Sequence, residues 1–306
     1  MILQEVLDIF SLLDRADANG KEVADFLKEN GVDEVTVTGI KGQNGSTDGL
    51  KIKISGYDEN APALGIIGRL GGLGARPKIN GFVSDGDGAL TSLAAALKIA
   101  RMKKNGDQLK GDVIVTTHIC PDAPTREHKP VPFMDSPIDM EAMNKHEVLE
   151  EMDAILSIDT TKGNRVLNHR GFTISPTIKE GYILKISEDL ISIMETVTGK
   201  PAVAIPVSQQ DITPYSNNLY HINSIFQPAV ASNSPLVGVA ITTETAVAGC
   251  ASGATHFEDI ESAGRFVVEV AKYYSQEKCQ FYDKGEFQKL VSLYGDMTKF
   301  QTPGLK

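Results

Sequence analysis

The sequence predicts an α/β protein with a mostly parallel, mixed sheet covered by helices on both faces. Two observations lead there. Short, nearly continuous apolar runs (ALGIIG at 63–68, VIVTTHI at 113–119, AILSID at 154–159 and LVGVAITT at 236–243) read as strands buried on both faces. Helical patterns separate them, and strands alternating with helices are the signature of a parallel sheet with crossover helices.

Taken in order, the opening MILQEVLDIFSLLDRAD places Ile2, Val6, Ile9, Phe10 and Leu13 on one side of an amphipathic helix. A second helix over 21–29 stops at Asn30-Gly31, a helix-ending pair. Strand-like runs at 32–40 and 50–56 follow, with KGQNGSTDG at 41–49 read as turn chemistry. ALGIIG runs into the glycine-rich GRLGGLGARP, and Phe82-Val83 leads through SDGDG at 84–88 into a helix over 89–103. After VIVTTHI, residues 121–139 are a long loop rich in proline and charge. A helix over 140–152 enters AILSID, extended structure covers 165–186, and a helix spans 188–197. A strand AVAIPV at 202–207, a polar loop, LVGVAITT and a helix over 258–274 complete the reading.

The 306 residues, 41% of them hydrophobic, can bury a large core, and one α/β domain over 1–306 is expected. With 40 acidic against 30 basic residues the formal charge is −10, and no basic stripe carries interleaved aromatics, so nucleic acid is an unsuited partner. The N-terminal helix lacks the basic start and unbroken apolar stretch of a signal peptide, and no run suits a membrane span. Cys120, Cys250 and Cys279 are too few and too unevenly spaced for a disulfide framework, so a cytoplasmic setting is expected.

Four polar residues follow the apolar runs: Asp85, His118, Asp159 and His256. The carboxyl ends of strands in an open sheet line one crevice, so residues scattered along the chain can meet there. Each has an ordinary alternative. Asp87 suits a helix cap, a lone strand-end histidine is commonly a satisfied polar group, and Thr255 or Asp259 can simply cap the helix behind His256. Together, imidazoles and carboxylates are the donors a divalent cation such as zinc takes.

In this order and local sequence the chain resembles the zinc exopeptidase superfamily, in particular its tetrahedral or glutamyl aminopeptidases, over roughly residues 60 to 275. Asp85-Gly86-Asp87-Gly88 looks like the superfamily's D-x-x-G turn, Thr117-His118 fall where a strand ends in a glutamate and a metal ligand, Asp159 matches a strand-end aspartate ligand, and His256 a final histidine before the last core helix. The resemblance is that of a divergent member, and the size is also similar to that of a bacterial and archaeal family of unknown function to which the chain is expected to belong. The resemblance implies an aminopeptidase-like, phosphorylase/hydrolase-like core and a homo-oligomer. Only 15 residues separate Arg69 from Asp85, and core elements account for the 96 between Asp159 and His256, so no inserted dimerisation or lid domain is expected.

Two departures from the pattern change the chemistry. Arg69 and Gly71 stand where the superfamily has a His-x-Asp, and a guanidinium has no lone pair for a metal. Asp85, His118 and His256 remain as a set for one zinc, with a fourth position open, and Arg69 is expected to supply positive charge beside Asp85 or Asp159. Thr117 stands in place of the general base and cannot collect a proton as a carboxylate does. Asp122 and Glu127 of the 121–139 loop, or Glu244, are the candidate replacements, with Asp159 or Arg69 orienting the substrate. Asp211, Asn217 and His221 of the polar segment 208–223 are candidate substrate contacts. The function expected is a metal-dependent hydrolase of a small peptide or amide. The alternative is a catalytically degenerate aminopeptidase fold used for ligand binding or assembly.

Overall fold

The computed structural model describes residues 1–129, 131–247 and 250–304. Among them nine strands form one sheet in the order β1-β2-β4-β3-β7-β11-β9-β10, with β8 also pairing β11. The strands are β1 Glu34–Gly42, β2 Gly45–Ile54, β3 Leu64–Gly68, β4 Val113–Ile119, β7 Ala154–Thr160, β8 Gly171–Ile174, β9 Ile178–Lys179, β10 Tyr182–Ile183 and β11 Leu236–Thr242. β5 Thr125–Arg126 and β6 Phe133–Met134 form a separate small hairpin within the proline-rich loop. The pairs β4–β3, β3–β7 and β7–β11 are parallel, and the pairs flanking them are antiparallel. The mixed α/β architecture is therefore the one expected, with the parallel pairing carried by the four central apolar runs.

Because side chains alternate across a strand, each central strand feeds two cores. Ile66, Val113, Val115, Leu156 and Ile158 pack on one face with α1 Leu3–Leu13, α3 Asp87–Lys104, α5 Glu188–Thr198 and α6 Phe257–Ser275. Ile67, Ile114, Ile155 and Ala240 face the other way, onto Ile225 and Phe226 of a 3₁₀ segment, Ser224–Val230. α4 Met140–Glu147 lies beside that segment and covers β2 and β4. α2 Gly20–Glu29 packs on β1 and β2, and its N-terminus is closed by Asn19, whose side chain accepts from Glu22 N at 3.0 Å.

Three expectations are corrected. The presumed turn over 41–49 is mostly strand: β1 and β2 pair through to Gly42 opposite Gly45. β2 is held on its other side by β4, with Asp48 opposite Ile119, and two ladders override the turn preference of Ser, Asp and Gly. AVAIPV makes only a bridge from Ala204 to Ile174, because Pro206 cannot donate to a ladder. The helix expected over 140–152 ends at Glu147, where Val148 turns extended. A further helix, α7 Lys284–Tyr294, starts at Asp283, which caps Glu286 N. Among the described residues no helix is long and apolar enough to cross a membrane.

Candidate functional site

The chain leaves β3 through α3 to reach β4 on one side, and β7 lies on the other, so the order of connections reverses at β3. A crevice outside the carboxyl ends of the strands opens at such a reversal. Arg69, His118 and Asp159 stand at or just beyond the ends of β3, β4 and β7, and Asp85 and Asp87 come from the entry to α3. A groove of about 1080 Å³ opens at the opposite end, between Pro62, Met152, Ser234 and Tyr282, and contains none of these groups.

Strand alternation decides where each side chain goes. Arg69 and His118 share the face of Ile67 and Ile114, the side that α4 covers. Arg69 is fully buried; it donates to Asn144 Oδ1 at 2.6 Å, touches Met140 Sδ at 2.8 Å and brings Nε to 2.6 Å from Glu147 Oε2. That last contact is an ion pair without hydrogen-bond alignment. His118 Nδ1 lies 2.7 Å from Glu147 Oε1, and its Nε2 accepts from Gly71 N at 3.2 Å. The proton therefore sits on Nδ1, and the lone pair of Nε2 is taken. Burial alone would raise the Glu147 carboxyl; Arg69 and His118 more than offset it and hold Glu147 below the usual range.

A second cluster has no such compensation. Asp85 and Asp159 are buried, 7% and 3% exposed, and neither forms an ion pair among the described residues. Asp159 Oδ1 accepts from Thr160 N at 2.7 Å and Oδ2 from Ser224 Oγ at 2.8 Å, while Asp85 has the Cys250 thiol beside its carboxyl. Burial pushes Asp85 up to about 6; burial and the neighbouring Asp85 push Asp159 up to about 7. Burial pushes the Tyr215 hydroxyl up, and its ring lies 4.6 Å from that of His221.

The third cluster gathers on the α3 side. Lys162 Nζ reaches Asp87 Oδ2 at 3.1 Å and Ala254 O at 2.8 Å, and Thr255 Oγ1 donates to Asp87 Oδ1 at 2.6 Å. Asp87 is fully buried, and burial keeps its carboxyl raised despite Lys162. His256, at the start of α6, is half exposed with Nδ1 3.8 Å from Asp259 Oδ2.

The expected set of Asp85, His118 and His256 is thus divided between the clusters. Among the described residues no three His, Cys, Asp or Glu side chains are grouped to hold a metal ion. The residues do not fit the one-zinc site: His118 has no free lone pair, and His256 belongs with Asp87 and Asp259. Arg69 pairs with Glu147 and not with Asp85 or Asp159. Asp122, Glu127 and Glu244 are exposed, and the Asp122 carboxylate meets the Cys120 thiol at 3.7 Å. Asp211 is fully buried and accepts from Ser208 N, Ser208 Oγ, Ile222 N and Asn223 N, so it organises its own loop. Asn217 bonds to Thr213 and Leu219, and each ring nitrogen of His221 faces a main-chain carbonyl, of Leu219 or Thr213. Glu147, Lys162, Tyr215 and Ser224 complete the clusters without having been singled out in the sequence.

Residues 38–304 match the family described as a protein of unknown function, DUF1177. The chain belongs to the DUF1177 family. Among curated proteins, none matches the sequence. Of solved structures, the LapA aminopeptidase of Legionella pneumophila is similar at 14% identity with a TM-score of 0.50, over 91% of this chain and 70% of that one. A Zn-dependent exopeptidase from Parabacteroides distasonis is similar at 12% identity with a TM-score of 0.48, over 89% and 96%. This DUF1177 chain has an aminopeptidase-like fold, the architecture that its strand-end motifs resemble.

Proposed function

We propose that this protein uses an aminopeptidase-like fold to bind a small peptide or amide in the strand-end crevice, without a zinc held by Asp85, His118 and His256. The observation that carries the reading is the use of protein cations and donors where that chemistry would need free ligands. Arg69 neutralises Glu147, Lys162 neutralises Asp87, and Gly71 N–H occupies His118 Nε2. What stays uncompensated is the Asp85 and Asp159 pair, beside Ser224 and Tyr215. Such a pair with polar neighbours suits the amine and amide N–H groups of a peptide, and buried polar groups of this kind discriminate strongly because they are costly to leave unmatched.

Elemental analysis of protein purified without an affinity tag, before and after adding zinc, is paired with calorimetric titration of L-leucinamide. The reading expects less than one zinc per chain, unaltered by His118→Ala, and leucinamide binding that Asp159→Asn abolishes. One zinc per chain that disappears in both His118→Ala and His256→Ala would sink it.

A second reading has its own support. Two buried carboxyls without a cation are a place a divalent ion can enter, and a metal-dependent hydrolase would then act from Asp85 and Asp159. Zinc-dependent release of 4-nitroaniline from L-leucine 4-nitroanilide, lost in Asp85→Asn, is its distinguishing result.

A further inference from the structure

We infer that the outer edge of β1 is a homodimer interface, where β1 pairs antiparallel with β1 of a second copy of this chain across a two-fold axis at Val37. The inference is independent of the ligand read into the crevice. β1 ends the sheet, and its nine residues pair one to one with β2, from Glu34 opposite Lys53 to Gly42 opposite Gly45. Two residues close that hairpin, so Gly42 and Gly45 are a hydrogen-bonded pair, and alternation turns the main-chain groups of Thr36, Thr38 and Ile40 to β2 as well. Those of Val35, Val37, Gly39 and Lys41 point away from the sheet. Among the described residues no main-chain group of β1 bonds to a segment other than β2. A row of unpaired donors and acceptors is a template for another strand.

The usual devices that keep such an edge apart are missing from β1. It has no proline and no bulge, and residues 35–40 carry no charge. α2 begins over one face of the strand, with Gly20 against Val37 and Asp48, and a Cβ on Gly39 would meet nothing within 4 Å. At the other end of the sheet β10 is only two residues long. The occupant is a second copy because the strand complements itself. A two-fold axis normal to the sheet keeps each side chain on its own face, so it must set one residue opposite itself. Centred on Val37, it sets Thr36 opposite Thr38 of the partner subunit, Val35 opposite the partner's Gly39 and Asp33 opposite the partner's Lys41. Lys41 is exposed and has no ion-pair partner among the described residues, and it meets the Asp33 carboxylate, whose present partners are Lys103 and Ser55 N. Opposite charges and paired threonines across strands are both favourable. An axis at Thr38 would instead set Lys41 opposite the buried Val35.

Sedimentation equilibrium of the whole chain at micromolar concentration is expected to give twice the 33.0 kDa of one chain. Val37→Pro takes away only an outward N–H, a change an edge strand tolerates, and the two-fold axis doubles the loss. It is expected to raise the dimer dissociation constant by about 100-fold or more, while far-UV circular dichroism stays that of wild type. The register is read separately, by mild oxidation of the double variant Thr36→Cys/Thr38→Cys, with wild type as the control for Cys120, Cys250 and Cys279. Opposed residues of a non-hydrogen-bonded pair have Cα atoms about 4.5 Å apart, within disulfide reach. The double variant is therefore expected to form a covalent dimer that Thr36→Cys and Thr38→Cys do not form singly. Monomeric wild type overturns the inference, and so does a dimer that a folded Val37→Pro leaves equally tight. A double variant that stays uncrosslinked, or a Thr38→Cys variant that crosslinks alone, overturns the axis at Val37. If Val37→Pro fails to fold, the crosslinking decides.

Discussion

The main-chain N–H of Gly71 donates to His118 Nε2 at 3.2 Å while Glu147 holds the other ring nitrogen at 2.7 Å, so the histidine joins β4 to the segment beyond β3 and to α4 and has no electron pair left to give. Glu147 is the hinge of this arrangement, since it also carries the counter-charge of the fully buried Arg69. Removing one partner of a buried ion pair leaves the other uncompensated, at a cost of about 3–5 kcal/mol. Glu147→Gln is therefore expected to lower stability by about that amount in urea unfolding. A loss under about 1 kcal/mol would mean that Arg69 is stabilised chiefly by Asn144 and Met140.

Lys162 plays the matching part on the α3 side. Its ammonium joins Asp87 to Ala254 O, and both side chains are buried, with side-chain exposures of 7% for Lys162 and 0% for Asp87. Lys162→Met is expected to cost about 3–5 kcal/mol, because Asp87 is then a buried carboxylate that keeps the Thr255 hydrogen bond but has lost its ion-pair partner. Adding Asp87→Asn to Lys162→Met should restore part of that loss. Simple additivity of the two single changes, measured as a double-mutant cycle, would show that the two residues do not act as a pair.

The pH dependence runs opposite to that of an ordinary salt-bridged carboxylate. Asp159 has a folded-state value of about 7 against an ordinary value of 3.8, so it contributes stability at low pH, and that contribution is lost as pH rises through about 7. A shift of this size corresponds to a change on the order of 4 kcal/mol between pH 4 and pH 8. The stability of wild type relative to Asp159→Asn should fall over that interval, as measured by urea unfolding at several pH values. A difference that stays flat from pH 4 to pH 8 would contradict the burial of an uncompensated carboxyl.

The sheet was legible because the central strands are unbroken apolar runs, and these have few other solutions. The placement of these residues in the fold was legible too: Arg69, His118 and Asp159 stand at or just beyond strand ends, and Asp85 at the entry to α3. Their directions were hidden by a step of one residue. Arg69 and His118 share the parity of Ile67 and Ile114 and so point to α4, while His256 arrives on the α6 side. Glu147 reads in the sequence as one more polar residue on a helix, and Lys162 as a loop residue, because nothing local shows that each meets a partner 75 or more residues away. Asp211 was legible as polar but not as buried; its partners Ile222 and Asn223 become neighbours only when the loop closes.

The glycines of SDGDG give the last prediction, since they serve close approach and not an unusual backbone. Gly86 has φ −78° and ψ −3°, which any residue adopts, and Gly88 lies within α3. A Cβ on Gly88 would stand 1.9 Å from Arg69 O and 2.6 Å from Ile158 O, both main chain, so the N-terminal turn of α3 could not sit on the ends of β3 and β7. A Cβ on Gly86 would meet the ring of Phe82 at 2.6 Å, a side chain that can turn aside. Gly39 in β1 has nothing within 4 Å of the corresponding point. The expected order of damage is therefore Gly88→Ala, then Gly86→Ala, then Gly39→Ala. The first should cost more than about 4 kcal/mol or abolish folding, and the last should stay within about 1 kcal/mol of wild type. Thermal unfolding of the three variants decides it. A well-folded Gly88→Ala protein would show that the helix can withdraw from the strand ends, and the Asp85 and Asp87 carboxyls would then have no fixed spacing from Asp159.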